Sequence, residues 1–272
     1  MKILNHRLCH DDGTSYPYVP SPNYTKGKTL APEYLVMHYT AGGSAQESIE
    51  WLASELAAAS AHILIGRDGS ITQQVPFDRI AWHAGVSFWK GRNGLNPVSI
   101  GIELDNPGKL AGKPGAWKAF GKTVPDAGVL VATHKNEHEP AAWAKYPKAQ
   151  LAAAREVARL LVTTFGLREI VGHDDLAPNR KTDPGPAFPM DAFRAAVLGE
   201  PSASPAPLPV LRIGARGHDV VRLQKALGMP EHLQTGYFGG ATAAAVGAFQ
   251  NRAALAADRI VGPATWRALG LL

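Results

Sequence analysis

Short apolar runs recur along the N-terminal part of the chain: YLVMHY (34–39), AHILI (61–65), ITQQV (71–75), VSIGIEL (98–104) and REIVG (168–172). Their length and β-branched content predict strands. Between the first two lies SAQESIEWLASELAAAS, where Ser44 and Glu47 have capping-box spacing and Ile49, Leu52 and Leu56 recur at helical intervals, so one helix is expected there. A second helix is expected from about Pro147 to Phe165, with Pro147 in its first turn and Leu151, Ala154, Ala158 and Leu161 along one face. Strands interleaved with helices predict an α/β fold with a mixed central sheet flanked by helices. The stretch from Asn106 to Tyr146, rich in Gly, Lys and Pro, reads as a long excursion from that pattern.

The periodicity stops at GEPSASPAPLP, where Pro, Ser and Ala take over. Such segments are extended spacers reaching roughly 3 Å per residue. The expected organisation is therefore residues 1–198, a spacer over 199–209, and a smaller unit over 210–272. In the last of these, LRIGARGHDVVRLQKALG predicts a helix with Val220, Leu223 and Leu227 on its buried side. FGGATAAAVGAF from residue 238 is echoed by VGPATWRALG from residue 261. In each copy a Gly permits a tight turn and a Thr is placed to cap the following helix, so a small all-α bundle is expected.

One segment fits neither periodicity. In HDDLAPNRKTDPGPAF (173–188), Pro178, Pro184 and Pro186, with Pro189 just beyond, remove backbone donors and fix chain direction, which predicts an irregular but stiff loop without helix. Stiff polar loops hold functional groups in place. Five residues at strand ends or in this loop stand out: His38, Glu103, His173, Lys181 and Asp183. Two imidazoles and one carboxylate suit a catalytic zinc with an open coordination position, leaving Glu103 and Lys181 to handle protons and charge. Each also has a plainer reading: His38 as a packed strand histidine, Asp183 as a turn starter, Lys181 as a solvated cation. Glu103 on an apolar strand is harder to explain away, because burying an unpaired carboxylate is unfavourable. No HExxH-type motif accompanies them.

Composition narrows the alternatives. The 272 residues include one cysteine, Cys9, which excludes an internal disulfide and a thiolate zinc cluster. A net charge of +5 is spread thinly along the chain, as on an ordinary solvated surface, and no run approaches the roughly 18 apolar residues of a membrane span. Neither nucleic-acid binding nor membrane insertion is expected. No signal-peptide core and no coiled-coil heptads are evident, so export by another route and a monomeric state are expected.

Taken in order, HYTAGG with His38, SAHILIGRDG with His62, AWHAGVSFW with His83, SIGIELDN with Glu103 and HDDLAPNRKTDPGP resemble the type 2 N-acetylmuramoyl-L-alanine amidases, relatives of the peptidoglycan recognition proteins. The resemblance covers about residues 30–198. It implies that His38, His173 and Asp183 bind zinc, that Glu103 is the general base and that Lys181 stabilises the oxyanion. It also implies that His62 and His83 line the substrate groove or support the metal, a core role being the alternative for each, and that Trp82 contacts substrate. The family often has an aromatic residue where this chain has Ile63. The C-terminal unit resembles the type 1 peptidoglycan-binding domain, with Thr235-Gly236 and Asp258-Arg259 where Asp-Gly turns are usual.

These resemblances imply a murein hydrolase cutting the amide between the lactyl group of N-acetylmuramic acid and L-alanine, tethered to peptidoglycan, its partner, by the tail. The expected place of action is the bacterial cell wall or periplasm, reached through phage lysis or specialised secretion. Two rivals remain: a cytoplasmic amidase recycling anhydro-muropeptides, and a recognition protein of the same fold without hydrolysis.

Overall fold

The computed structural model describes residues 1–199 and 209–271. Residues 200–208, most of the expected spacer, lie outside that description. The chain divides into two compact units, Met1–Glu200 and Pro201–Leu272.

In the first unit all five expected strands form, and they make one sheet. Its order is Glu169–Gly172, Tyr34–Tyr39, Ser99–Leu104, Ile63–Ile65 and Ile71–Gln73. The first four run parallel and the last is antiparallel, which makes the sheet mixed. Strand alternation sorts its two faces. Leu35, Met37, Ile100, Ile102 and Ile170 point into the main core, shared with Ala154, Val157, Ala158 and Leu161 of the Lys148–Phe165 helix. Val36 and Val171 face the other way, onto Ala84, Leu95 and Leu176. His38 and Glu103 share this second face, because strand neighbours alternate sides.

Two local expectations fail. The segment after Ser44 is not one helix: Ala45–Leu52 is helical, and only a 3-10 turn, Glu55–Ala57, follows. Ser44 does cap the helix, accepting from the Glu47 amide, but Leu56 is left 82% exposed. Distant side chains hold the chain where the helix stops: Ser21 Oγ donates to the Leu52 carbonyl at its end, and Asn23 Nδ2 donates to the carbonyl of Ser54 just beyond it. Likewise, the proline-rich loop opens with a helical turn, His173–Leu176, in which Asp175 accepts from the Gly172 amide before the prolines take effect.

The excursion is ordered. Lys109–Leu110, Pro140–Ala144 and Val129–Thr133 form a three-stranded antiparallel sheet, and Trp117–Ala119 pairs with Lys122–Val124 in a hairpin.

The second unit contains helices His218–Ala226, Gly240–Arg252 and Pro263–Ala268 around Val220, Leu223, Phe238, Val246, Val261 and Trp266. The two threonines of the internal echo are not caps. Thr242 and Thr265 are buried inside their helices, and each hydroxyl accepts from a buried glutamine, Gln224 and Gln250 respectively. Gln224 also donates to the Tyr237 carbonyl and accepts from the Gly236 amide, and Gln250 repeats this with the Ile260 carbonyl and the Arg259 amide. The echo is thus a duplicated hydrogen-bond arrangement. Arg259 adopts φ +61° where its counterpart Gly236 has φ +70°, so the turn persists without glycine.

Candidate active site

Strand register assembles the site. Glu103 lies opposite His38, and Gly172 opposite Met37, so the residue after Gly172, His173, comes abreast of His38. Three adjacent strands thereby deliver Glu103, His38 and His173 at their carboxyl ends, the usual edge for sites in parallel sheets. The loop returns Asp183 to the same point, where its carbonyl accepts from the Asp174 amide at 2.8 Å.

The three expected ligands converge. His38 Nδ1 lies 3.0 Å from His173 Nδ1, and Asp183 Oδ2 lies 2.9 Å from the first and 3.0 Å from the second. All three residues are buried. Their outer partners assign the tautomers. His173 Nε2 has the Ala84 carbonyl at 3.0 Å and must donate to it. His83 Nε2 donates to the Ser99 carbonyl at 3.2 Å, so His83 Nδ1 is an acceptor and takes the proton of His38 Nε2 at 3.0 Å. Both Nδ1 atoms therefore present lone pairs to each other and to a carboxylate oxygen, with no proton between them. Three acceptors at such separations fit a shared cation, since ligand atoms about 2 Å from a tetrahedral ion lie about 3.3 Å apart. Burial, and next the neighbouring His173, pulls His38 down to about 4, which keeps its ring neutral as a ligand must be.

Glu103 stands beside this triad with its Oε2 buried and without a hydrogen-bond partner. Burial, then the negative charge of Asp183, pushes its carboxyl up to about 8, against the opposing pull of Lys181. A carboxyl held near neutrality suits proton transfer in both directions. His38, Glu103, His173, Lys181 and Asp183 line one cleft of about 680 Å³.

The structure separates the remaining expected residues. His83 is 7% exposed and borders the cleft, but both its nitrogens are engaged, and it acts by orienting His38. Only a glycine at 101 lets its ring lie so close, because a Cβ there would meet it at 2.5 Å. His62 is fully enclosed, accepting from the Gly101 amide at 3.1 Å and donating to the Arg79 carbonyl at 3.0 Å. With no ring atom left over, it has none to offer a substrate, and the core reading replaces the groove reading. Trp82 lines the cleft, 38% exposed, its indole nitrogen fixed on Thr25 Oγ1. The sequence reading missed two further exposed aromatics on the cleft, Trp51 and Phe120. Phe120 sits at a hairpin tip with φ +48°, followed by Gly121 at +73°, and the Phe-Gly pair was the available signal.

A family model described as N-acetylmuramoyl-L-alanine amidase matches residues 28–186, and one described as putative peptidoglycan binding domain matches residues 216–269. The Escherichia coli 1,6-anhydro-N-acetylmuramyl-L-alanine amidase AmpD is 39% identical over 143 residues, 52% of this chain and 60% of that protein. The E. coli N-acetylmuramoyl-L-alanine amidase AmiD is 34% identical over 174 residues, 61% of this chain and 53% of that protein. The matched region thus spans a little over half the length of these relatives. The solved structure of E. coli AmiD with the substrate anhydro-N-acetylmuramic acid-L-Ala-D-gamma-Glu-L-Lys covers 92% of each chain at 24% identity and a TM-score of 0.51, a likeness of fold.

Proposed function

Because the chain belongs to the N-acetylmuramoyl-L-alanine amidase family, we propose that residues 1–198 form a zinc amidase hydrolysing the lactyl–L-alanine amide of peptidoglycan, and that residues 210–272, beyond the 199–209 spacer, hold it on the polymer. The observation carrying this reading is the meeting of three proton-free ligand atoms with an unpartnered carboxylate oxygen in one cleft. His38, His173 and Asp183 would hold the ion, which supplies Lewis acidity towards a carbonyl and towards water.

The chain's own residues do the rest. Glu103 Oε2 takes a proton from the attacking water and returns it to the leaving nitrogen. Lys181, which lines the cleft, stabilises the negative charge growing on the carbonyl oxygen. His83 and the Ala84 carbonyl hold the two imidazoles in the ligating tautomer. Trp82 supplies a wall for the substrate.

Peptidoglycan is the proposed partner, and the cell wall or periplasm the proposed place of action. Among the described residues no helix is long and apolar enough to cross a membrane. The likeness to AmpD supports a second substrate, soluble anhydro-muropeptides, while the C-terminal match supports the polymer. Mass spectrometry of sacculi and of soluble anhydro-muropeptides, each incubated with zinc-loaded or chelated protein, separates the two. Stem peptides beginning at L-alanine, released from sacculi only with metal, are expected. Release from the soluble fragments alone would favour the recycling reading, and binding without release would favour a recognition protein.

A further inference from the structure

One residue of the loop that carries two of the ligands is gripped from outside the loop. Asp174 follows His173, and its amide donates to the Asp183 carbonyl at 2.8 Å, so a shift of Asp174 displaces both ligands. Asp174 is buried and held by three consecutive residues of the excursion, two on its carboxylate and one on its backbone carbonyl. His134 Nε2 lies 3.0 Å from Oδ2, Lys135 Nζ donates to Oδ1 at 2.8 Å, and Asn136 Nδ2 donates to the Asp174 carbonyl at 2.8 Å. His134 is 1% exposed, and its Nδ1 accepts from the Asn136 amide, which fixes Nε2 as the donor to Asp174. The excursion also touches the loop at the other ligand: Tyr146 donates to the Pro184 carbonyl at 2.8 Å, and the Trp143 ring lies 3.1 Å from where a Cβ on Gly185 would stand.

We propose that the excursion over residues 106–146 is a clasp for the metal ligands, with His134 and Lys135 as positioning residues that act through Asp174 on His173 and Asp183. Phe120 at the hairpin tip is the excursion's residue on the cleft, whereas His134, Lys135, Asn136, Trp143 and Tyr146 do not line it, so the effect of these five is on ligand placement and not on substrate contact. An imidazole with both nitrogens committed suits this use, because it resists rotation in the buried site. The inference rests on the metal reading above.

The test uses the full chain, freed of metal, with zinc affinity measured by competition against a chromophoric chelator and thermal stability recorded in parallel. His134→Ala is expected to weaken zinc binding on the order of tenfold, as loss of an outer partner does at metal sites. His134→Gln, which keeps a donor for Asp174, is expected to restore most of it, and Val131→Ala, on an exposed position of the same small sheet, to leave it unchanged. On soluble muropeptide, kcat should fall while KM stays. A folded His134→Ala protein with lower melting temperature but wild-type zinc affinity would overturn the clasp and leave a merely structural role. Should His134→Ala not fold, Lys135→Met at the half-exposed end of the same grip serves, and wild-type affinity there overturns the proposal equally. Wild-type protein that takes up no zinc would instead sink the metal reading, and the clasp with it.

Discussion

The C-terminal unit and the candidate site bury polar side chains in opposite ways. In the C-terminal unit, Gln224 and Gln250 are almost fully enclosed, and on each the amide nitrogen and oxygen find partners. In the N-terminal site, two imidazole lone pairs and a carboxylate face one another without a proton, and Glu103 Oε2 has no partner. Burial of unpaired polar atoms is unfavourable, so a fold keeps them only where something else uses them. The saturated glutamines define a shape, whereas the unsaturated atoms that converge in the cleft are placed for chemistry; Arg67 Nη1, Gln74 Oε1 and Gln150 Oε1 are buried without partners as well, each singly.

The comparison is broken most sharply at Glu103. Glu103→Gln keeps the shape, so zinc uptake should persist while turnover falls by about 10²–10⁴-fold, the usual range for a general acid–base. Turnover close to wild type in a steady-state assay would remove Glu103 from the mechanism. The mirror experiment is Gln250→Leu, which strips partners from the Arg259 amide and the Ile260 carbonyl. Calorimetry should show the C-terminal transition destabilised by about 3 kcal/mol, with hydrolysis of soluble fragments unchanged. Ending the chain at residue 198 should lower co-sedimentation with sacculi at least about tenfold and spare turnover of small fragments, since linked sites act through local concentration.

The smallest effect is a pH dependence of the chelated protein. The Glu103 carboxyl is raised from its ordinary value to about 8 in the fold, so the fold binds this proton more tightly than the open chain does. Its contribution to stability is complete below about pH 4.5, declines as pH rises, and is lost once pH passes about 8. The melting temperature of metal-free wild type should therefore fall relative to Glu103→Gln between pH 5 and pH 8. Parallel curves for the two proteins would contradict the buried, unpartnered carboxylate.

What the sequence revealed depended on how local the cause was. Strand alternation and Pro147 at the helix start act within a few residues, so the five strands and the long helix could be read directly. Placement at strand ends and in a proline-stiffened loop singled out His38, Glu103, His173 and Asp183 but left plainer readings for His38 and Asp183, and it was the family resemblance that implied a shared site for them. The helix end at Leu52 was not legible, since Ser21 and Asn23 hold the chain there from far upstream. The same holds for His62, whose partners are the Gly101 amide and Arg79 carbonyl on other strands, and for Thr242 and Thr265, which answer to glutamines on preceding helices. The excursion was opaque because its meaning lies in the grip of His134, Lys135 and Asn136 on Asp174, which no local pattern encodes.

The central claim is that the three facing acceptors exist to share one cation. Metal-free full-length protein would be equilibrated with excess zinc, freed of unbound metal and analysed for zinc content, beside His38→Ala, His173→Ala, Asp183→Ala and Glu103→Gln. The account predicts one zinc per chain in wild type and in Glu103→Gln, and a marked loss in each of the other three. Wild type without zinc, or full occupancy surviving removal of Asp183, would contradict it.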